Sequence, residues 1–497
     1  MSIPGSPVAP RTARVLIIGS GFAGIGMAIK LRERGITEIV ILERAADLGG
    51  TWRDNRYPGC ACDVESTLYS FSFALNPDWS RTFSSQPEIQ AYLRRVASEF
   101  RVGSLIRFGE EVRGARWDQS AQEWVVTSTT GLWHAQHVVM ANGSLSDPVV
   151  PPLPGLASFK GPAFHTAQWD PKVVLDGKRV AIIGTGASAI QVIPAIQPRV
   201  AKLVVLQRTP PWVLPRHDRA VPAWRRALYA RFPHTQRLLR GLLHARHELL
   251  LLPFRHAAAR RVVAAIVSQH LRWQVRDEQL RKALRPAYSV GCKRLLLSDD
   301  YYPALTQSNV AVVTSALDRI GPHSITTVDG RTHEVDVLIL ATGFRATDPV
   351  LAPLVIGRHG RSLADAWQGS PKAYMGTTVA GFPNLFILAG PNTGLGHSSV
   401  VLMTEAQIEH VLGVLALAQS QGVRAIEPRA EAQARFVAWI DASHATTVWN
   451  AGGCNSWYLD RTGRNSTVWP FGVDRFRRTV ERVVAADYIA PPPRAPR

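Results

Sequence analysis

Cysteine is scarce, with four residues in 497 (Cys60, Cys62, Cys292 and Cys454). So few thiols, and no Cys/His run with zinc-ligand spacing, argue against a disulfide framework and against a metal site, and they suit a reducing cytoplasm. Charge is also sparse, at 19% of residues, but apolar residues reach 46%. That balance excludes a disordered, collagenous or coiled-coil chain. Long apolar runs are missing too. The longest uncharged stretch, Ala373 to Thr404, is broken by Gly376, Gly381, Pro383, Gly390, Pro391, Asn392 and Gly394, so no membrane-spanning helix is expected. The amino terminus lacks a basic start, an isolated apolar core and a cleavage site, which argues against export. In one region acids are what is missing. Residues 216–294 hold eighteen Lys and Arg against four acids (Asp218, Glu248, Asp277, Glu278), which accounts for most of the net charge of +19.

The length, too great for one core, implies two or more domains. From Arg14 to Glu43 an apolar strand runs into Gly19-x-Gly21-x-x-Gly24, a helix follows, and a second apolar strand ends in Glu43. This is a βαβ dinucleotide unit. Gly19 permits the tight turn, Gly21 lets a pyrophosphate approach the backbone, Gly24 lets helix and strand pack, and the Glu43 carboxylate can accept from ribose hydroxyls. Phe22, Ala23 and Arg44 complete the candidate contacts of this turn and strand end.

The pattern recurs with Gly184, Gly186 and Ala189, and Thr185 and Ser188 lie in the same turn. Gly19 to Glu43 and Gly184 to Arg208 are both 24 residues apart, so a guanidinium replaces the ribose-binding acid. Arg208, with Thr209 next to it, can pair with a 2'-phosphate, so the second unit should prefer NADPH. Two such units in one chain point to a flavin next to a nicotinamide, because a hydride must pass between them. The first should hold FAD. Asp336 to Phe344, with Ala341, Thr342 and Gly343, and Val138 to Gly143 are strands ending in small-residue turns, suited to crossings between domains. A strand, a turn containing Asn392 and a helix beginning near Ser398 would aim a helix amino terminus at the flavin.

Phe159-x-Gly161-x-x-x-His165-x-x-x-Trp169-Asp170 resembles the fingerprint of type I Baeyer-Villiger monooxygenases, the FAD- and NADPH-dependent class B flavoprotein monooxygenases. Gly49-Gly50-Thr51-Trp52-x-x-Asn55-x-Tyr57-Pro58-Gly59-x-x-x-Asp63 resembles a second signature of that family, whose glycines and aromatics enclose the flavin; Tyr69 and Val112 are further candidate contacts. Gly291-Cys292-Lys293-Arg294 resembles a third. The resemblance implies that Lys293 stands near the NADPH phosphate, that Arg294 lies above the flavin held by Asp63, and that Trp457 of Cys454-Asn455-Ser456-Trp457-Tyr458 closes over NADP and substrate. His165 would couple domains. The Cys60/Cys62 spacing is too narrow for a flavoprotein disulfide site.

The implied fold is α/β, with two Rossmann-like dinucleotide-binding domains and an inserted helical subdomain. The expected boundaries are FAD domain 1–145 and 386–497, NADPH domain 146–215 and 291–385, and helical insertion 216–290. The tail APPPRAPR should be disordered. The implied activity is insertion of one oxygen of O2 next to a small apolar ketone or aldehyde carbonyl, giving an ester or lactone through a C4a-peroxyflavin whose anion Arg294 stabilises. The alternative is a flavin monooxygenase acting on amine or sulfide heteroatoms. No nucleic-acid fold or stacking platform accompanies the basic insertion. Its alternation of arginine and leucine suits either a solvated face over a packed lid or an anionic membrane surface.

Overall fold

The computed structural model describes residues 11–454 and 456–492. Pro493–Arg497 of the expected disordered tail, and Asn455, lie outside them. Strand β1 (Arg11–Ile18), helix α1 (Phe22–Glu33) and strand β2 (Ile39–Glu43) form the first unit. Every residue of β2 is buried, as a parallel strand covered on both faces requires, and Ile39 to Leu42 supply the apolar surface. β3 (Ile106–Phe108) flanks β2, and β4 (Val112–Asp118), β5 (Glu123–Ser128) and β6 (Gly131–Met140) form an antiparallel meander. β1 lies parallel between β2 and β6, with Ile18 level with both Leu42 and Met140. The carboxyl ends of these strands therefore finish together, at the edge where such sheets bind nucleotides.

The second sheet is parallel throughout. β7 (Ala163–His165), β8 (Arg179–Ile183) and β9 (Lys202–Leu206) combine with Val310–Val313 and Val337–Leu340, with β8 and β9 adjacent at its centre. The protein is thus an α/β chain with two Rossmann-like sheets. Helices Ala223–Arg231, Pro233–Leu249, Leu252–Arg255, Ala257–Gln274 and Glu278–Ala283 lie between the two parts of the second sheet.

The chain re-enters the first sheet earlier than the expected boundary at 385/386. Val355–Ile356 pairs with β4, and Ala352, Val355, Leu363, Trp367, Ala373 and Val379 are buried in the core beneath β4 to β6. The crossing therefore precedes Ala352. A two-residue strand carries no periodicity from which the sequence could place it. At the crossing the two linkers are zipped together: Val149 N donates to Gly343 O at 2.8 Å, Arg345 N to Asp147 O at 2.9 Å, and the Thr342 hydroxyl to Val149 O. Helix Val400–Ser420 begins two residues later than Ser398, capped by the Ser399 hydroxyl. It has the length and hydropathy of a membrane span, but 67% of its apolar window is buried, where Ile408 packs over Gly26 of α1.

Candidate active site

In the first turn a Cβ on Gly24 would stand 1.9 Å from the Gly19 carbonyl oxygen, so no side chain fits there. Gly21 and Gly50 face each other, and a Cβ on Gly50 would lie 3.3 Å from the Gly21 Cα. Side chains would fill this cleft, which is lined by backbone and suits a pyrophosphate. Glu43 is buried at the strand end: its Oε2 accepts from Ser20 N at 3.0 Å and Ser20 Oγ at 2.7 Å, its Oε1 accepts from Ala45 N at 3.0 Å, and Arg53 lies 2.7 Å away. These four contacts match the four lone-pair sites of a carboxylate, so a ribose hydroxyl would share or displace one of them. Arg44 pairs with Asp147 at 3.1 Å and donates to Ser146 O, pinning strand β2 to a linker. Val112 is buried where β4 starts, close behind Glu110, whose N donates to Glu43 O.

The second turn repeats the first with a different finish. A Cβ on Gly184 would meet Ala341 O at 2.4 Å, as one on Gly19 would meet Ala141 O at 2.9 Å, but Gly186 faces open space. There only an incoming ligand would require glycine. Ala189 is buried at the start of helix Ala189–Ile196, Ser188 precedes it without a side-chain cap bond, and Thr185 Oγ1 donates to Thr209 O at 3.0 Å. Arg208 is exposed and makes no hydrogen bond or ion pair among the described residues. The Lys293 ammonium is pushed below its usual range, first by burial and then by the charge of Arg208. Two cations held close with no acid to balance them make an anion site.

Arg294 Nε and Nη2 both donate to Asp63 Oδ2, at 2.9 and 2.6 Å. Asp63 holds the guanidinium far above its usual range, against the opposing effect of burial, so this charge is permanent. Trp52 Nε1 donates to Tyr69 OH at 3.0 Å, and Phe22 and Tyr69 meet edge to face at 5.2 Å between centroids. These aromatics wall the first site, and the Thr51 carbonyl is held by Asn55. Tyr57 OH donates to Gln191 Oε1 at 3.0 Å, and Gln191 Nε2 donates to Ala61 O at 2.9 Å, tying this segment to the second unit. Burial pushes the Cys60 thiol up to about 12 and the Cys62 thiol well above its usual range, so neither is an active thiolate.

The linker signature is structural. A Cβ on Gly161 would lie 2.1 Å from Asp336 O, Phe159 packs on the second core, and Trp169 meets Phe164 edge to face. His165 is buried, its Nδ1 accepts from Ala167 N at 3.1 Å, and its ring abuts Phe344 in the crossing. Burial lowers its basicity. Asn392 departs from expectation. Its amide donates to Asn465 O and Val468 O, its Oδ1 accepts from Arg464, and its backbone N donates to Ser466 O. Both side-chain N–H groups and the backbone N–H are spent on the carboxyl-terminal segment, which makes the side chain a scaffold and leaves it no donor for a cofactor.

Two features were missed. Cys292 and Cys454 form a disulfide, a single bond where the scarcity of cysteine had argued against a disulfide framework. They are 162 residues apart, and that distance leaves no local spacing to read. The bond ties the segment of Lys293 and Arg294 to that of Trp457. Trp457 is exposed, whereas Tyr458, adjacent to it, is fully buried beside Arg294. Burial raises the Tyr458 hydroxyl and the Arg294 charge opposes the rise; its position after Trp457 was the only sequence signal. The second missed feature is an ionic latch. His247 Nε2 lies 2.7 Å from Glu65 Oε2 and Arg246 pairs with the same carboxylate. Burial would raise Glu65, but these partners hold it at about 2.

The pyridine nucleotide-disulphide oxidoreductase family profile matches residues 16–224. A Baeyer-Villiger monooxygenase of Streptomyces coelicolor is 48% identical over 477 residues, covering 96% of this chain and 92% of the relative. One from Pseudomonas aeruginosa is 45% identical over 491 residues, covering 98% and 93%. Among solved structures, OTEMO in complex with FAD and NADP superposes with a TM-score of 0.87 at 27% identity, covering 97% of this chain and 99% of that one.

Proposed function

The chain belongs to the Baeyer-Villiger monooxygenase family, and from that premise we propose how its residues divide the work. It is an FAD-containing, NADPH-dependent enzyme that places one atom of O2 next to a carbonyl, giving an ester or lactone, while the other atom leaves as water. The substrate we assign is a small apolar ketone or aldehyde. FAD, reduced by NADPH, supplies the activated oxygen.

The cleft between Gly21 and Gly50 receives the flavin pyrophosphate, and Glu43 accepts from the ribose hydroxyls. Arg208 and Lys293 hold the 2'-phosphate of NADPH, and Gly186 lets its pyrophosphate approach. Arg294, oriented by Asp63, is a fixed cation for negative oxygen that develops at the substrate carbonyl. Such a group stabilises charge without reorganising. Trp457 covers the site. The observation that supports this reading is the doubly hydrogen-bonded Arg294–Asp63 pair in a chain with two nucleotide turns. The test is to supply purified, flavin-loaded enzyme with NADPH, labelled O2 and a panel of ketones and sulfides. Esters carrying one labelled oxygen are expected; sulfoxides without any ester would overturn the reading in favour of heteroatom oxidation.

A further inference from the structure

Helix Pro233–Leu249 is built inside out. Its buried residues are polar: Gln236 Nε2 donates to Asn76 O at 2.6 Å, Arg240 Nη1 to Thr67 O at 2.7 Å, and His247 meets Glu65. Leu239 and Leu243 are half-buried, and its other leucines face solvent. Leu238, Leu242 and Leu249 recur at the spacing of one helical face, and Val262, Ile266 and Trp273 repeat that spacing on helix Ala257–Gln274. All six are between 49 and 74% exposed. A helix packed on a protein core shows the opposite arrangement. Helix Ala257–Gln274 packs inward through Val267 and Leu271, but both helices also carry an outward apolar row that a solvated lid does not need.

The charge on this surface selects its occupant. Residues 219–276 contain twelve arginines and one acid, Glu248. Glu248 accepts from Val473 N at 2.8 Å and so faces the protein. Arg240 is buried and Arg246 pairs with Glu65, but Arg237, Arg261 and Arg272 are exposed on the two helices, and such an arginine-rich face repels a second copy of itself in a two-fold pair. Nucleic acid would use the arginines but leave the aliphatic side chains uncovered. Apolar side chains interleaved with arginine match one surface, the headgroup and upper acyl region of an anionic bilayer. The exposed corner Leu249, Leu250 and Leu252 leads directly to Phe254, which stacks on Trp449 at 5.0 Å in the cluster holding Cys292 and Tyr458. The docking face thus adjoins the segment that carries Trp457.

We propose that the outward faces of helices Pro233–Leu249 and Ala257–Gln274 dock the enzyme on anionic phospholipid membranes, next to the entrance through which an apolar substrate leaves the bilayer. Flotation of the flavin-loaded, full-length enzyme tests this, using phosphatidylcholine vesicles with and without about one-third phosphatidylglycerol. The protein should float with the anionic vesicles and be released by salt at about 0.5 M. Leu238→Gln/Leu242→Gln/Leu249→Gln keeps good helix formers and lies outside the catalytic machinery; it should lower flotation at least about tenfold while leaving turnover of a water-soluble ketone unchanged. A second variant, Arg237→Glu/Arg261→Glu, should abolish the preference for anionic lipid. The proposal is overturned by any of four results: protein that stays at the bottom of the gradient, equal flotation on neutral vesicles, displacement from anionic vesicles by duplex DNA, or a dimer in sedimentation that the leucine variant dissociates. Docking and catalysis are read separately, so either claim can fail alone.

Discussion

The two nucleotide units share a backbone plan and differ in how far the protein itself finishes them. In the first, the strand-end acid Glu43 is buried and held by Ser20, Ala45 and Arg53 before any ligand arrives. In the second, Arg208 at the matching position is exposed and without a partner among the described residues, and Gly186 looks onto open space. A site finished by protein contacts suits a cofactor that stays. One left open, with uncompensated cations, suits a coenzyme that exchanges every cycle. Lys293 and Arg294, although adjacent in sequence, divide along this line: Lys293 sits near Arg208, and Arg294 is bonded to Asp63 of the first unit.

The strongest test substitutes one glycine in each turn, at the third position of the first pattern and the second position of the other. Gly24→Ala forces a Cβ to 1.9 Å from a backbone oxygen, so flavin absorbance and all turnover should disappear, at a cost above about 4 kcal/mol. Gly186→Ala meets nothing within 4 Å. It should keep its flavin and melting temperature while its KM for NADPH rises. Retention of flavin by Gly24→Ala would break the distinction. Next in size is Arg294→Ala, which should keep both coenzymes but lower ester formation by about 10² to 10³, with hydrogen peroxide released instead. Arg294→Lys should rescue poorly, since an ammonium lacks the fork that pairs with Asp63. Near-normal ester yield from Arg294→Ala would remove it from catalysis.

Both units were legible because each glycine answers to a steric demand within a few residues, and because apolar strands of a parallel sheet read as continuous runs. The Arg294–Asp63 pair was legible only through resemblance, as 231 residues separate its members. The Cys292–Cys454 disulfide, the Glu65–His247 latch and the early return at Val355 were not legible. Each joins residues distant in the chain, and none leaves a local period. Asn392 misled for the reverse reason. It stands in a glycine- and proline-rich turn of the kind that meets cofactors, but the turn also has to anchor residues 465–468, and its amide is used for that.

The smallest effect bears most directly on the comparison. If the second unit is open so as to admit a phosphate, then Arg208→Ala should raise the KM for NADPH by about ten- to hundredfold, the worth of one charge-assisted contact, and leave NADH unaffected. Its action on Lys293 has a definite sign. After burial, the charge of Arg208 helps to push the lysine below its usual range, so the two cations repel one another and removing either relieves that repulsion. Lys293→Ala should therefore cost more in the Arg208→Ala background than in the natural enzyme, and a double-mutant cycle on NADPH binding measures the difference. Equal losses for NADPH and NADH in Arg208→Ala would mean that the guanidinium does not meet the 2'-phosphate, and the second unit would then be open for some reason other than coenzyme choice.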